Sequence, residues 1–218
     1  MPQVTKITPQ KKKKDRSSIF IDGRFAFGIK EEIAVEFGLK TGKEISENEI
    51  AGILKREEGA KLMDKALNFL SFRQRSEKEV EDYLAKKIKA QNDIDYNQAK
   101  ESMVIGEIIA KLKKYKYLDD LAFAKEWVAS RSRSRPKGKL VLKWELIKKG
   151  IEKSIIDQVL ESAGDEETLA KKSLEKKISR FKKLPQDEFK KKIFAHLISR
   201  GFSFETAKKV FAFYTNKS

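Results

Sequence analysis

The residues most able to do chemistry in this 218-residue sequence form a basic run near its middle. Only Glu145 is acidic between Arg131 and Gly150. Guanidinium groups bind phosphates and carboxylates through paired hydrogen bonds, whereas lysines bind them as point charges. We therefore expect this segment to contact the phosphates of a nucleic acid or an acidic protein surface. Its basic residues are Arg131, Arg133, Arg135, Lys137, Lys139, Lys143, Lys148 and Lys149.

Two other basic groups are candidates for contact. Arg73 and Arg75 could bind the same partner, or could serve as favourable charges at a helix C-terminus. The segment 171–192 holds ten basic and three acidic residues, which we interpret as a second contact surface. The alternative for all of them is a solvated surface. Because loop arginines contribute little to a core, reversing Arg131, Arg133 and Arg135 to glutamate should weaken function without unfolding the chain.

Catalytic chemistry has little support in the sequence. Asp119 and Asp120 could bind a metal or exchange protons, but they fit better as helix caps. The only histidine, His196, has no nucleophile motif beside it, and the absence of cysteine excludes disulfides and thiolate–metal sites. We predict no catalytic residue, cofactor or metal; the enzyme alternative is a nuclease or phosphatase, which would need acidic metal ligands that converge in space. Trp127 and Trp144 could stack on bases, but both lie on apolar stripes. We assign them to the core, where loss of Trp127 should cost about 3–5 kcal/mol.

The composition favours a polyanionic partner. The net charge is +16, and 38% of residues are charged against 39% that are hydrophobic. No secretory signal, lipidation motif or membrane-length apolar run is present. We expect a soluble, cytoplasmic monomer, since nothing resembles a dimerisation zipper.

Two amphipathic helices should present the basic run. The first opens at Asp119 and buries a stripe that includes Trp127. The second begins near Pro136, whose fixed φ suits a first helical turn, and ends at Gly150 in a left-handed cap. An arginine-rich loop joins them. The predicted buried stripe of the second helix is Leu140, Trp144 and Ile147.

The N-terminal part has a different period. Residues 1–18, with four consecutive lysines, are expected to be a disordered segment or a loop. Asp22 and Gly23 then predict a hairpin turn, with Ile19, Ile21, Phe25 and Phe27 on one face. A hairpin needs a helical partner, and residues 30–37 offer one. The later pairs Ser46 with Glu49 and Ser76 with Glu79 are capping boxes that start helices.

The helical part repeats itself. A shift of 51 superposes Leu146 on Leu197 and Gly150 on Gly201, and a shift of 58 superposes Ala66 on Ala124. We therefore predict a mainly α protein, an elongated array of three tandem three-helix repeats behind a small N-terminal β-hairpin and helix extension. The predicted boundaries are 1–59, 60–116, 117–164 and 165–218.

Three segments of the sequence resemble the RecX family of recombination regulators. The resemblance rests on residues 73–80 (RQRSEKEV), 117–124 (YLDDLAFA) and 145–151 (ELIKKGI). It covers about residues 60–164 well and the rest by architecture. One departure is Lys116, where a glycine often precedes the tyrosine of the second motif.

The resemblance implies a non-enzymatic protein that lies in the groove of the RecA recombinase filament on DNA and inhibits ATP hydrolysis, strand exchange and filament extension. It would act in DNA recombination, repair and the SOS response, and single- and double-stranded DNA would be further partners. The ten contact candidates are the eight basic residues named first together with Arg73 and Arg75. The alternative is a stand-alone, sequence-nonspecific DNA-binding protein without a recombinase target.

Overall fold

The structure is a computed structural model that describes residues 1–11 and 13–215. It is mainly helical and has a small sheet in its N-terminal part, as predicted. In chain order the strands are β1 Val4–Gln10, β2 Lys13–Ile21 and β3 Arg24–Lys30. The helices are α1 Glu31–Glu36, α2 Glu47–Ser71, α3 Glu77–Asn92, α4 Tyr96–Lys100, α5 Met103–Lys114, α6 Asp120–Ser134, α7 Lys139–Lys148, α8 Lys153–Glu161, α9 Glu166–Phe181, α10 Gln186–Ser199 and α11 Phe204–Thr215.

The chain divides into two compact units. The first consists of Met1–Phe72 and Tyr83–Ala110, and the second of Arg73–Asp82 and Lys111–Ser218. Helix α3 therefore begins in the second unit and continues into the first. The predicted basic contact residues all belong to the second unit.

The N-terminal sheet extends further than the sequence suggested. Its antiparallel order is β1-β2-β3, so the disorder expected for residues 1–18 is wrong for their described part; residue 12 lies outside it. The hairpin turn is confirmed, since Asp22 and Gly23 both have positive φ. A register shift after Ile19 pairs Phe25 with Phe20, and this moves the 59%-exposed Phe25 off the predicted face.

A buried ion pair attaches the sheet to α2. The Arg16 guanidinium donates to Glu57 and to the Gly28 carbonyl, while the backbone N–H of Lys30 donates to Glu57 at 3.0 Å. Arg16 and Glu57 are both buried, so each supplies the charge that the other needs away from water. Helix α2 starts at the predicted capping box of Ser46 and runs unbroken past Gly59.

The second unit confirms the internal repeat. At a shift of 51, the buried Leu142 and Leu146 of α7 match the buried Ile193 and Leu197 of α10. The glycine after each helix has the left-handed backbone that the prediction required, with φ of 78° at Gly150. A hydrogen bond to each of these turns also recurs. The Ser76 hydroxyl donates to the Lys149 carbonyl, and the Gly138 N–H donates to the Arg200 carbonyl.

Two predictions around the basic run are wrong. Helix α6 continues to Ser134, so Arg131 and Arg133 are helical, and only residues 135–138 join α6 to α7. The predicted apolar stripe of α7 faces outward, since Trp144 is 64% exposed. The buried stripe is Leu142 and Leu146, because these side chains pack into the core formed with α6 and α8.

Candidate functional site

All ten predicted contact residues lie in the second compact unit. The structure separates them by what they bind within the chain. Some are held by acidic side chains, whereas others extend into solvent. This difference decides which cations can bind a partner without losing an internal contact.

Glu145 of α7 is the acidic centre of the basic run. Its Oε2 accepts hydrogen bonds from Trp127 Nε1 at 2.8 Å and Arg131 Nε at 3.0 Å, and its Oε1 accepts one from Lys137. Burial opposes the charge of Glu145, but the three donors outweigh burial and hold its pKa below the usual range. The Arg131 guanidinium also lies 4.4 Å from the Trp127 ring centroid. Arg131 therefore stabilises the contact of α6 with α7, and Lys137 binds the connection between these helices to α7.

Glu79 near the start of α3 is a second acidic centre. Arg73 donates to both of its oxygens, at 2.9 and 3.1 Å, and Lys149 Nζ lies 2.6 Å from Oε1. Burial would raise the pKa of Glu79, yet these cations lower it to about 2. Glu79 also completes the predicted capping box with Ser76. The Ser76 N–H donates to the Glu79 carboxylate, and the Ser76 hydroxyl accepts from the Glu79 N–H. Lys149 thus joins the start of α3 to the turn after α7, and Arg73 joins it to the segment that precedes α3.

Five of the other candidate cations are more open, whereas Arg75 is half-buried. Arg133 pairs with Glu126 at 2.5 Å between exposed side chains, and Lys143 lies 3.8 Å from Asp157. Such pairs contribute little and exchange readily with a partner. Burial and the neighbouring Arg73 charge lower the pKa of the half-buried Arg75. Within the described part of the chain, no ion pair is formed by the exposed residues Arg135, Lys139 and Lys148.

The basic cluster of residues 171–192 lies on α9, α10 and their connection. Lys171 pairs with Glu167 at 2.6 Å, and its Nζ lies 3.7 Å from the Phe213 ring centroid. Lys177 Nζ lies 3.5 Å from His196 Nδ1. Among the described residues the remaining cations of the cluster form no ion pair, and all are exposed. They are Lys172, Lys176, Arg180, Lys182, Lys183, Lys190, Lys191 and Lys192.

The two aspartates at the start of α6 act as helix caps. Asp119 accepts a hydrogen bond from the Ala122 N–H at 2.9 Å, as predicted. Asp120 instead accepts from the Glu77 N–H at 2.9 Å and so caps α3. Burial raises the pKa of Asp120, and the hydrogen bond from Glu77 opposes this effect. In the described residues, no group of three or more histidine and acidic side chains could hold a metal ion.

Sequence reasoning missed two features of this unit. The first is the cap that Asp120 provides to α3, because a contact over 43 residues leaves no local pattern. The second is the exposed apolar face of α7. Apolar residues at 140, 141, 142, 144, 146 and 147 occupy more of the helix than one stripe, and this excess was the available signal.

Models of one protein family match four parts of the chain. The Regulatory protein RecX N-terminal domain matches residues 2–46. The first, second and third RecX three-helix domains match residues 63–96, 119–160 and 165–211. The matched segments include the sheet and a part of each of the three helical repeats.

Individual relatives from the same family are also similar to the chain. The chain is 40% identical to the Regulatory protein RecX of Bacillus licheniformis, over 94% of this chain and 74% of that protein. It is 36% identical to that of Listeria welshimeri, over 99% of this chain and 77% of that protein.

Two crystal structures are also similar. One of a regulatory protein RecX has a TM-score of 0.75 at 29% identity and covers 96% of this chain and 98% of that one. One of RecX from Lactobacillus salivarius has a TM-score of 0.57 at 28% identity and covers 72% of this chain and 96% of that one. The two acidic centres and the caps are formed by side chains of the segments 73–80, 117–124 and 145–151. The chain as a whole belongs to the RecX family of regulatory proteins.

Proposed function

We propose that this chain is a non-enzymatic regulator that binds the groove of the RecA–DNA filament and inhibits the recombinase. Occupation of the groove would lower ATP hydrolysis, strand exchange and filament extension. Membership of a family of regulatory proteins supports the regulatory role. It also gives no reason to expect catalysis by the chain itself.

The observation that carries the proposal is unneutralised positive charge on the second unit. Arg135, Lys139 and Lys148 are exposed and make no ion pair within the described chain. They can bind phosphates or carboxylates of a filament without losing an internal contact. Arg73, Arg131, Lys137 and Lys149 can join only if a partner group replaces Glu79 or Glu145. We expect these exposed cations to contribute most to filament binding, and we expect Arg75, Arg133 and Lys143 to contribute less.

The second candidate function is nonspecific DNA binding without a recombinase target. The basic cluster of residues 171–192 favours it, because its exposed lysines could follow a phosphate backbone. Binding through about six to ten phosphates should weaken on the order of a thousandfold or more between low and physiological salt. An interface with buried anchors depends less on salt.

Several other properties belong to the proposal. Single- and double-stranded DNA are expected partners, the chain is expected to act as a monomer in the cytoplasm, and its roles would be recombination, repair and the SOS response. Within the described residues, no helix is long and apolar enough to cross a membrane. We retain 60–116, 117–164 and 165–218 as the repeat boundaries, with 1–59 as the extension.

The test is ATP hydrolysis by the cognate RecA on single-stranded DNA while this protein is titrated at physiological salt. We expect inhibition below one molecule per RecA subunit that excess free DNA does not relieve. Inhibition that disappears with free DNA would favour the second candidate function, and no inhibition would refute the first.

A charge-reversal variant tests whether the unneutralised positive charge of the second unit is needed for inhibition. Replacing Arg135, Lys139 and Lys148 together by glutamate should reduce inhibition at least about tenfold, since each position changes from attraction to repulsion. The matched control reverses three exposed lysines of the first unit, Lys40, Lys55 and Lys86, with the same change in net charge. Equal inhibition by both variants would show that the position of the charge has no importance.

A further inference from the structure

Helix α7 carries an apolar face that the described residues of the chain leave exposed. Leu140, Trp144 and Ile147 are 60%, 64% and 43% exposed. Their spacing places them on one side of the helix across two turns. We call these three residues the α7 stripe. The opposite side is the one that folding uses, because Leu142 and Leu146 there are 1% and 0% exposed.

Positive charge borders the α7 stripe on both sides. On a helix, Lys143 and Lys148 project about 60° and 80° to either side of Leu140. The one acidic residue of α7 is Glu145, whose oxygens already bind Trp127, Arg131 and Lys137. The face is therefore apolar in the middle and cationic at its edges, which matches an apolar surface edged with carboxylates.

The repeat shows that folding does not require this stripe. A shift of 51 places Lys191, Ala195 and Ile198 of α10 at the corresponding positions. The buried positions of the two helices are equivalent, yet the exposed apolar character is kept only at Ile198, which is 47% exposed. The core thus accepts a lysine and an alanine at two of the three positions. Leu140 and Trp144 need an explanation outside the packing of this domain.

We infer that the α7 stripe is a docking surface for a protein partner, which offers an apolar patch edged with aspartate or glutamate. The inference deepens the proposed function and rests on it, since the RecA filament would supply that patch. Large contiguous apolar patches on a soluble surface mark interaction sites, and tryptophan is enriched among residues that anchor interfaces. Single-stranded nucleic acid fits less well, because one ring between two aliphatic side chains offers little for successive bases to stack on.

The test uses the full chain and two titrants, the RecA filament on single-stranded DNA and the same DNA alone. Leu140→Ala with Trp144→Ala should weaken binding to the filament about tenfold or more. Its affinity for DNA alone should stay within about twofold, because the double variant changes no charge. The control is Phe204→Ala, which removes another aromatic side chain of the same unit that is 58% exposed.

A direct observation complements the affinities. The chain has two tryptophans, Trp127 and Trp144, so 5-fluorotryptophan labelling gives two fluorine resonances. Trp144→Phe assigns them. We expect the Trp144 resonance to shift with the filament and to stay in place with DNA alone.

Each other outcome has a definite meaning. If the wild type binds the filament but the double variant binds equally well and the resonance does not move, the docking surface is wrong and the proposed function stands. A shift with DNA alone assigns the stripe to nucleic acid and overturns the inference. If the wild type binds the filament no better than it binds DNA, the proposed function fails and the inference fails with it.

Discussion

Replacing Glu79 by glutamine tests whether the cations around this residue act through its charge. Glutamine preserves the size of the side chain and an oxygen acceptor near Arg73 and Lys149. The folded-state pKa of about 2 lies below the ordinary 4.5, and the full difference would correspond to about 3.4 kcal/mol. Solvent screens this partly exposed group, so we expect the variant to lose about 1–2 kcal/mol of unfolding free energy at pH 7.

The pH dependence gives the sharper result. Because the folded pKa of Glu79 is depressed, its contribution is present above pH 4.5 and is lost as the pH falls toward 2. The difference between wild type and Glu79→Gln should therefore shrink to about half or less at pH 3. Urea titrations followed by tryptophan emission suit the measurement, since Glu79 and both tryptophans belong to the second unit.

A matched control separates this effect from the removal of any carboxylate. Glu126→Gln removes the partner of Arg133, and these side chains are 56% and 65% exposed. That change should cost less than about 0.5 kcal/mol. A Glu79→Gln deficit that stays constant from pH 7 to pH 3 would refute the argument, since a lost ion pair must follow the titration of the acid.

Two further predictions concern residues of the same unit. Lys116→Gly should stabilise the chain by about 1 kcal/mol, because Lys116 has a left-handed φ of 59°; Lys114→Gly, at the end of α5, should destabilise it by a similar amount. A stability loss at Lys116 in urea titrations would contradict the backbone argument. Trp127→Ala should cost about 3 kcal/mol and Trp144→Ala less than about 1, measured by circular dichroism in urea. Equal losses would show that the exposure of Trp144 does not persist in solution.

The parts of the fold that follow local rules could be predicted from the sequence. The Asp22-Gly23 turn, the capping boxes of Ser46 and Ser76 and the left-handed Gly150 depend on a few neighbouring residues, and the structure confirms them. Strand β1 could not be predicted in this way. Its polar sequence forms a strand because β2 supplies the hydrogen-bond partners across a turn.

The candidate site shows the same division. The sequence located the basic residues, but it could not show which of them have acidic partners. Glu79 is 70 residues from Lys149, and only the folded chain brings them together. The α7 stripe was misassigned for a related reason. A helix with apolar residues around most of its circumference has two candidate buried faces, and contacts with α6 and α8 select Leu142 and Leu146.

The repeat also indicates how the paired cations should be interpreted. At shifts of 46 and 51, Arg131 and Glu145 correspond to Lys177 and His196, which lie 3.5 Å apart. Burial and the Lys177 charge lower the pKa of His196, so the third repeat joins the same two helices with a neutral ring in place of a carboxylate. A contact that recurs with different chemistry serves the packing of the first repeat helix against the second. Arg131 therefore serves mainly to stabilise the packing of these two helices. Filament binding is better sought at cations such as Arg135, which forms no ion pair within the described residues.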